Sequence, residues 1–578
     1  MIKKLIRQML AAQTLSAMTV SLCLLIDNIM IARFLGVQAI AAYGLANPIL
    51  LIIGAIGSML TAGVQVACSR SLGNGSREET DRGYSSAVGI ALAVSLLLTG
   101  VVLLLRNPLA TLMGAGQEGE LYDQTRDYLA GFILGAPGSM GALILVPFLQ
   151  MAGKSGLLIT AVLGMTVTDI VLDLLNVTVF HGGMFGMGLA SSLSYYVATV
   201  IAMFYFLSKK CVFSFSLKYI SRKKIRELLT GGIPTVFNMA SAVLLVFILN
   251  RILLGTGGSD AVAAYTTLLA IGNTSNCIST GVGGVSLTLS GILYQEEDVT
   301  GLRDLLKSLS FYSLLLGAGM GLVLIFFAPA FVSVFITKAG AVRDLTVQGL
   351  RLFALGLIPC CLNNALKSLY QGTERVRLTE IISVLECALL PAASAFLLSR
   401  FFGVTGVWLY FLTGETLTLL LTALLVWKQN RAVTLAPQAF LLLRKSFGVR
   451  PEDLMEIDIR SLADVDQATR QAESFCLQHG QSPKMSNHIA LCVEEMASNT
   501  VIHGFDKKGG NHLSVRIQNK GSRWILRFRD DCSAFDPVSY VPRGEEDALG
   551  LRLVTAMADD LRYTYSLNLN NLTIRLTR

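Results

Sequence analysis

Three aspartates stand inside otherwise apolar stretches: Asp27, Asp169 and Asp173. An ionisable group within a bilayer costs about 2.5–3.5 kcal/mol on insertion scales, so it marks a functional position. Asp169 and Asp173 are four residues apart and therefore share one helical face. Two carboxylates that close in a low dielectric hold a cation between them or keep a proton. That is the chemistry of a carrier driven by a cation gradient. The second half of the chain offers Lys367, Glu386 and Glu415, with Asn250 at the place of Asp27, so the acid constellation is not duplicated.

A second constellation lies near the C-terminus. The stretch Met485–His503 has apolar residues at helical spacing, and Glu495, Asn499 and His503 recur every four residues as one polar stripe, with Glu494 beside it. An acid and an amide on one stripe suit magnesium and phosphate. Trp524-Ile-Leu-Arg-Phe-Arg529 alternates as a strand and runs into Asp530-Asp-Cys-Ser-Ala-Phe-Asp-Pro537. Ala548-Leu-Gly-Leu-Arg-Leu-Val554 then opens a helix with a glycine turn, a natural anion site. Asn570–Leu576 closes with a strand.

Composition says what must position these groups. The 578 residues are 53% hydrophobic and 15% charged, against about 25% charged in a soluble domain. Disorder, collagen and a secreted disulfide scaffold are excluded. Ten scattered cysteines contain no CxxC pair, so no zinc knuckle or redox motif is read. From Phe447 onward there are 16 Lys/Arg and 18 Asp/Glu, leaving 31 and 21 for the first 446 residues. The net +8 thus divides into +10 for an apolar part and −2 for a tail of soluble composition. The basic excess belongs to membrane loops and predicts no nucleic-acid partner.

A membrane helix needs about 20 apolar residues. Twelve spans are predicted near 13–34, 46–68, 84–105, 127–150, 157–179, 186–207, 232–254, 262–292, 308–336, 346–370, 378–400 and 404–427. Lys3, Lys4 and Arg7 precede a span without a cleavage site, so no cleaved signal peptide is expected. Basic loops (Arg70, Arg77, Arg82; Lys209 to Arg226; Arg375, Arg377) fall on one side, and poorer ones (Arg106, Lys338, Arg400) on the other. Both termini are then expected in the cytoplasm. The halves repeat: Ala39–Tyr43 matches Ala261–Tyr265 and Pro137 matches Pro359 at an offset of 222, and Phe148-Leu-Gln150 resembles Leu369-Tyr-Gln371. Repeats of this kind are typical of secondary transporters, with the site at their interface. The segments expected are a six-helix lobe over 1–208, a basic loop over 209–230, a second six-helix lobe over 231–428, a linker over 429–446 read as an amphipathic helix, and a tail over 447–578. The tail reads strand, helix, helix, strand, strand, helix, strand.

Ile26-Asp-Asn-Ile-Met-Ile-Ala-Arg-Phe-Leu-Gly36 with Ala39–Ala46 closely resembles the first-span signature of MATE (multidrug and toxic compound extrusion) transporters. Asp169-Ile-Val-Leu-Asp173 looks like that family's Asn-x-x-Leu-Asp element, and Gly183–Ser191 its glycine-rich opening of span six. The resemblance covers about residues 1–430 and implies a polytopic helical fold whose coupling ion, Na+ or H+, is held by Asp27, Asp169, Asp173 and Ser191. Asp169 stands where the family has Asn, and Ser191 where it has Thr. The tail resembles the GHKL-type ATP-binding α/β sandwich, most closely anti-sigma-factor serine kinases. That resemblance implies Mg2+ on Asn499, ATP bound by Glu495, Asn499, Asp530 and Gly550, and Glu495 as catalytic base. Cys532 and Ala548 stand where the glycine boxes have Gly, and Val538–Asp547 is short for a lid. Glycine is also missing from the only P-loop lookalike, Ala152–Ser155, where Phe148 occupies the required position.

The reading is a cation-coupled antiporter of the bacterial cytoplasmic membrane, exporting small organic cations, with a nucleotide-binding regulatory tail. Two alternatives stand beside it. One is a membrane-tethered serine/threonine kinase that uses the transporter fold as sensor and acts on an anti-sigma-factor antagonist-type protein. The other is a flippase for a lipid-linked substrate.

Overall fold

The computed structural model describes residues 2–208, 211–336, 340–430, 437–444, 447–506, 510–538, 540 and 549–577. Lys209, Lys210, Lys338 and Ala548, and residues 539 and 541–547 of the segment between the glycine boxes, lie outside them.

The first half runs α1 (Ile2–Met30), α2 (Val37–Gly73), α3 (Arg77–Leu112), α4 (Glu120–Ile133), α5 (Ala136–Met151), α6 (Ser155–Leu175) and α7 (Gly183–Phe206). The second runs α8 (Arg222–Ser275), α9 (Cys277–Gln295), α10 (Val299–Phe335), α11 (Ala341–Leu355), α12 (Leu357–Gly372), α13 (Val376–Val384), α14 (Leu390–Trp408) and α15 (Tyr410–Asn430). Among the described residues nine helices are long and apolar enough to cross a membrane, and the bent pairs α4–α5 and α11–α12 bring the number to eleven. Helix α1 takes the remaining place in the repeat. The predicted spans near 127–150 and 346–370 are these bent pairs, at 45° and 47°. Each bend falls on a glycine against a neighbouring helix. A Cβ on Gly135 would collide with Ser192, and one on Gly356 with Phe411.

The repeat holds element by element, with a drifting register. Gly36 and Gly258, both with positive φ, are 222 apart, as are the starts of α3 and α10. The starts of α5 and α12 are 221 apart, and Gly183 and Gly403, again with positive φ, are 220 apart. Two sequence expectations change with it. Pro137 is the second residue of its helix and Pro359 the third, so the proline match lies one residue off the structural register. At offset 222 the counterpart of Asp27 is the buried Leu249, not Asn250. The lobes meet along α2–α8 and α1–α9. Glycine permits the approach: a Cβ on Gly63 would strike the Leu228 backbone, and one on Gly232 the Met59 backbone.

Among the described residues of the linker, Pro437–Leu441 forms only a short 3-10 turn, so the expected amphipathic helix is not formed there. The tail is a five-stranded antiparallel sheet in the order β1-β2-β3-β5-β4. Its strands are β1 (Leu454–Ile459), β2 (Leu513–Asn519), β3 (Arg523–Asp530), β4 (Asp560–Ser566) and β5 (Leu569–Thr577), with α16 (Leu462–Gln478), α17 (Pro483–Asn499) and α18 (Leu549–Met557). Ser461 and Asp464 form a capping box on α16, and Ser482 caps α17 ahead of Pro483. The core lies between helices and sheet, around Ile489, Val493, Val515, Trp524, Leu526 and Ile574. Strand β4 was absent from the sequence reading. Its Arg562-Tyr-Thr-Tyr565 has no apolar alternation, and its turn carries no glycine.

Candidate functional sites

Helix α6 packs between α1 and α7, which brings three distant aspartates together. Asp27, Asp169 and Asp173 are all buried, and each lies within electrostatic reach of the others. Ser191 on α7 donates its hydroxyl to Asp27 Oδ2 at 3.3 Å. Among the described residues, four of these carboxylate oxygens find no hydrogen-bond donor: Asp27 Oδ1, Asp169 Oδ1 and both oxygens of Asp173. Buried acceptors left this way call for a cation or protons. Sequence reasoning missed Cys23 and Ser194, which also face Asp169. Ser194 could have been found, since it lies one turn beyond Ser191 on the same helix. Asn176 fixes the α6–α7 corner by accepting from Gly182 N at 3.1 Å and donating to Gly183 O at 3.1 Å.

The second lobe holds a different arrangement. Lys367 Nζ pairs with Glu386 Oε2 at 2.6 Å, and Asn363 Nδ2 donates to Glu415 Oε2 at 2.7 Å. Ligand atoms of Cys360, Glu386 and Glu415 lie within 4.8 Å of one another. The lysine neutralises one acid here; among the described residues of the first lobe, none of the three acids has such a partner.

In the tail, Glu495 and Asn499 are half-buried near the end of α17, and a π turn over Thr500–Gly504 follows. That turn breaks the four-residue period, so His503 leaves the stripe and is exposed. Gly550 lies against Glu495 so closely that a Cβ would collide with its carboxylate. Asp530, at the end of β3, is buried, and its Oδ1 accepts from Asn570 Nδ2 at 2.7 Å and Cys532 N at 3.0 Å. Burial pushes this carboxyl up from its ordinary range, while Asn570 opposes the shift. Cys532 is buried against Gly504, and burial pushes its thiol up. The structure thus gathers Glu495 with Gly550, and ties Asp530 through Cys532 to the turn that follows Asn499.

A family model described as MatE matches residues 13–175 and 234–397, over half of the chain. The chain belongs to the MatE family. A second model, a histidine kinase-like ATPase domain, matches residues 460–576 of this MatE protein. The multidrug export protein MepA of Staphylococcus saprophyticus is 25% identical over 415 residues, covering 69% of this chain and 88% of the relative. The uncharacterized transporter YisQ of Bacillus subtilis is 24% identical over 236 residues, 38% of this chain and 50% of its own. A crystal structure of MATE in complex with MaL6 superposes with a TM-score of 0.68 at 21% identity, covering 73% of this chain and 94% of that one. A MOP superfamily transporter from Pyrococcus furiosus gives 0.69 at 20% identity, covering 74% and 96%. The latter two likenesses show the fold. The protein is therefore a multi-pass membrane transporter of the MATE type, joined to a GHKL-type domain.

Proposed function

We propose that this MatE protein is an antiporter that exports small organic cations against an inward flow of Na+ or H+. The supporting observation is the set of four unpartnered carboxylate oxygens on Asp27, Asp169 and Asp173. A cation there would satisfy them, and Ser191 would add a neutral oxygen. Asp169 in place of an amide adds a negative charge, which strengthens any cation's hold. The test is export of a cationic dye from proteoliposomes under an imposed Na+ or H+ gradient. Asp27→Asn and Asp173→Asn should each abolish gradient-driven export while the protein still elutes as a folded species. Wild-type rates in either variant would refute the assignment.

The tail serves as a cytoplasmic nucleotide-binding regulator. Asn499 would hold Mg2+, Asp530 would accept from the adenine amino group, and Gly550 would open α18 toward the phosphates. Glu495 packs on Gly550, which favours binding over a role as base in phosphoryl transfer. The tail side of the lobes faces the cytoplasm, opposite Arg106, a reading supported by the basic residues of its loops. A cysteine introduced at Lys218 should resist an impermeant reagent in intact cells, and one at Arg106 should react.

A further inference from the structure

Only one face of the tail's sheet belongs to the tail's own core. Val515, Ile517, Leu526, Phe528, Leu572 and Ile574 turn toward α16 and α17. Strand alternation sends Arg516, Arg527 and Arg529 to the opposite face. That face sits on the loop between α9 and α10, where Glu296, Glu297 and Asp298 are consecutive. Arg529 Nη2 donates to both carboxylate oxygens of Glu296, at 2.7 and 2.6 Å. Arg516 Nη1 meets Asp298 Oδ1 at 2.9 Å, Arg527 donates to the Glu296 carbonyl, and Lys520 pairs with Glu297. A cationic sheet face is thus matched to an acidic loop of the second lobe.

The first lobe is reached by the β4–β5 hairpin. Its two turn residues, Leu567 and Asn568, have left-handed backbones, with φ of 58° and 60°. Such a two-residue turn favours Asn-Gly, and a leucine there is strained. Docking supplies the reason for it. Leu567 N–H donates to the Met151 carbonyl at 2.6 Å, and Asn568 Nδ2 to the Gly153 carbonyl at 2.7 Å. Arg562 Nη1 adds a bond to the Asn74 carbonyl at 3.2 Å. Gly153 makes room, since a Cβ there would collide with Asn568. The Leu567 side chain, however, is buried in the apolar cluster of Leu289, Ile292 and Leu293 on α9. One residue therefore holds the first lobe by its backbone and the second by its side chain.

We infer that the β4–β5 hairpin clamps the tail-side ends of the two lobes together, and that the seam between the lobes opens toward the tail only when the clamp releases one lobe. The inference rests on the transporter reading above, because alternating access moves one repeat against the other. It deepens the regulatory role of the tail. Asn570, two residues beyond the turn, bonds both Asp530 and the Tyr563 hydroxyl, the latter at 2.6 Å. A ligand group taking Asp530 competes with Asn570 and so acts on the hairpin beside its turn.

The test uses the full chain in nanodiscs, with the native cysteines replaced and spin labels at Gly156→Cys and Arg377→Cys. Both positions are exposed in the first turns of tail-side helix starts, Gly156 on α6 and Arg377 on α13, one in each lobe, and Gly156 has open space around it. Leu567→Asn with Asn568→Gly installs the favoured turn, so the hairpin is better formed while the Leu567 side chain is lost from the α9 cluster. Pulsed EPR should then show a longer-distance population absent from the parent. Arg527→Glu with Arg529→Glu should produce the same population from the sheet face, and adding Glu296→Arg should reduce it. Unchanged distances in both the turn variant and the charge variant would overturn the clamp. Widening without gradient-driven export by the parent would uphold the clamp while sinking the transport reading.

Discussion

The second lobe's buried ion pair permits a prediction whose size comes from distances. Lys367 Nζ is 2.6 Å from Glu386 Oε2, and both side chains are more than nine-tenths buried. Glu386 and Glu415 offer oxygens no more than 4.8 Å apart. Lys367→Met removes the ammonium and leaves the two carboxylates facing each other. At an effective dielectric of about 20, two charges at that separation repel by about 3.5 kcal/mol, an upper limit because one carboxyl can take a proton instead. Loss of one partner from a buried pair costs about 3–5 kcal/mol by experience elsewhere, so the two routes agree. The double variant Lys367→Met, Glu386→Leu leaves no uncompensated partner and fills the space with apolar atoms. The assay is thermal unfolding of the full chain in detergent, followed by the folded fraction on size exclusion. The single variant should melt several degrees below the parent, and the double variant should recover most of the loss. Gradient-driven export should persist in the double variant, because the coupling acids lie in the other lobe. A single variant as stable as the parent, or a double variant no better than the single, would refute this reasoning.

Ser191→Ala removes the hydroxyl that donates to Asp27 at 3.3 Å. That bond favours the ion-free carboxylate, but the variant also removes the neutral oxygen that would ligate the cation; with a contact to a charged group worth about 1.5 kcal/mol at its weak end and the ligand loss dominating, the cation concentration for half-maximal export should rise by up to about tenfold. Asp530→Ala should weaken magnesium-dependent ATP binding by the full chain in calorimetry, and Cys532→Gly should tighten it or leave it unchanged; no binding by either parent or Cys532→Gly protein would end the nucleotide reading. At Asp298, burial favours the neutral form, but Arg516, the Gly301 N–H and Arg529 outweigh it and hold the carboxyl below its ordinary range. A depressed carboxyl stabilises docking above its undocked pKa and loses that contribution as pH falls through the docked one. The spin-label distances should therefore stay constant from neutral pH down to about 4, the ordinary aspartate value, and lengthen only below it.

Much of the membrane part was legible from the chain alone. A bilayer demands long apolar runs and allows few charges, so hydropathy located the spans and singled out Asp27, Asp169 and Asp173. The helical period placed Asp169 and Asp173 on one face without any coordinates. What the sequence could not supply was the partner across 164 positions. Only the packing of α6 between α1 and α7 brings Asp27 and Ser191 to that pair. Register escaped for a related reason: short motifs repeat at 222, while the helices drift to 221 and 220, because loops absorb single residues that local matches cannot see. In the tail, the alternation of Arg527 and Arg529 with Leu526 and Phe528 announced a strand with two unlike faces. It did not say what covered the charged face, since the acidic loop over residues 296–298 is remote in sequence. Strand β4 and its turn escaped altogether. Leu567 and Asn568 carry no glycine signal, and their left-handed backbone is held by contacts with both lobes rather than by local preference. Local periodicity thus settled which elements form and which faces they present, because those depend on neighbours within a turn or a pleat. The meeting of those faces depends on surfaces brought together from distant parts of the chain, and that was decided only in the tertiary structure.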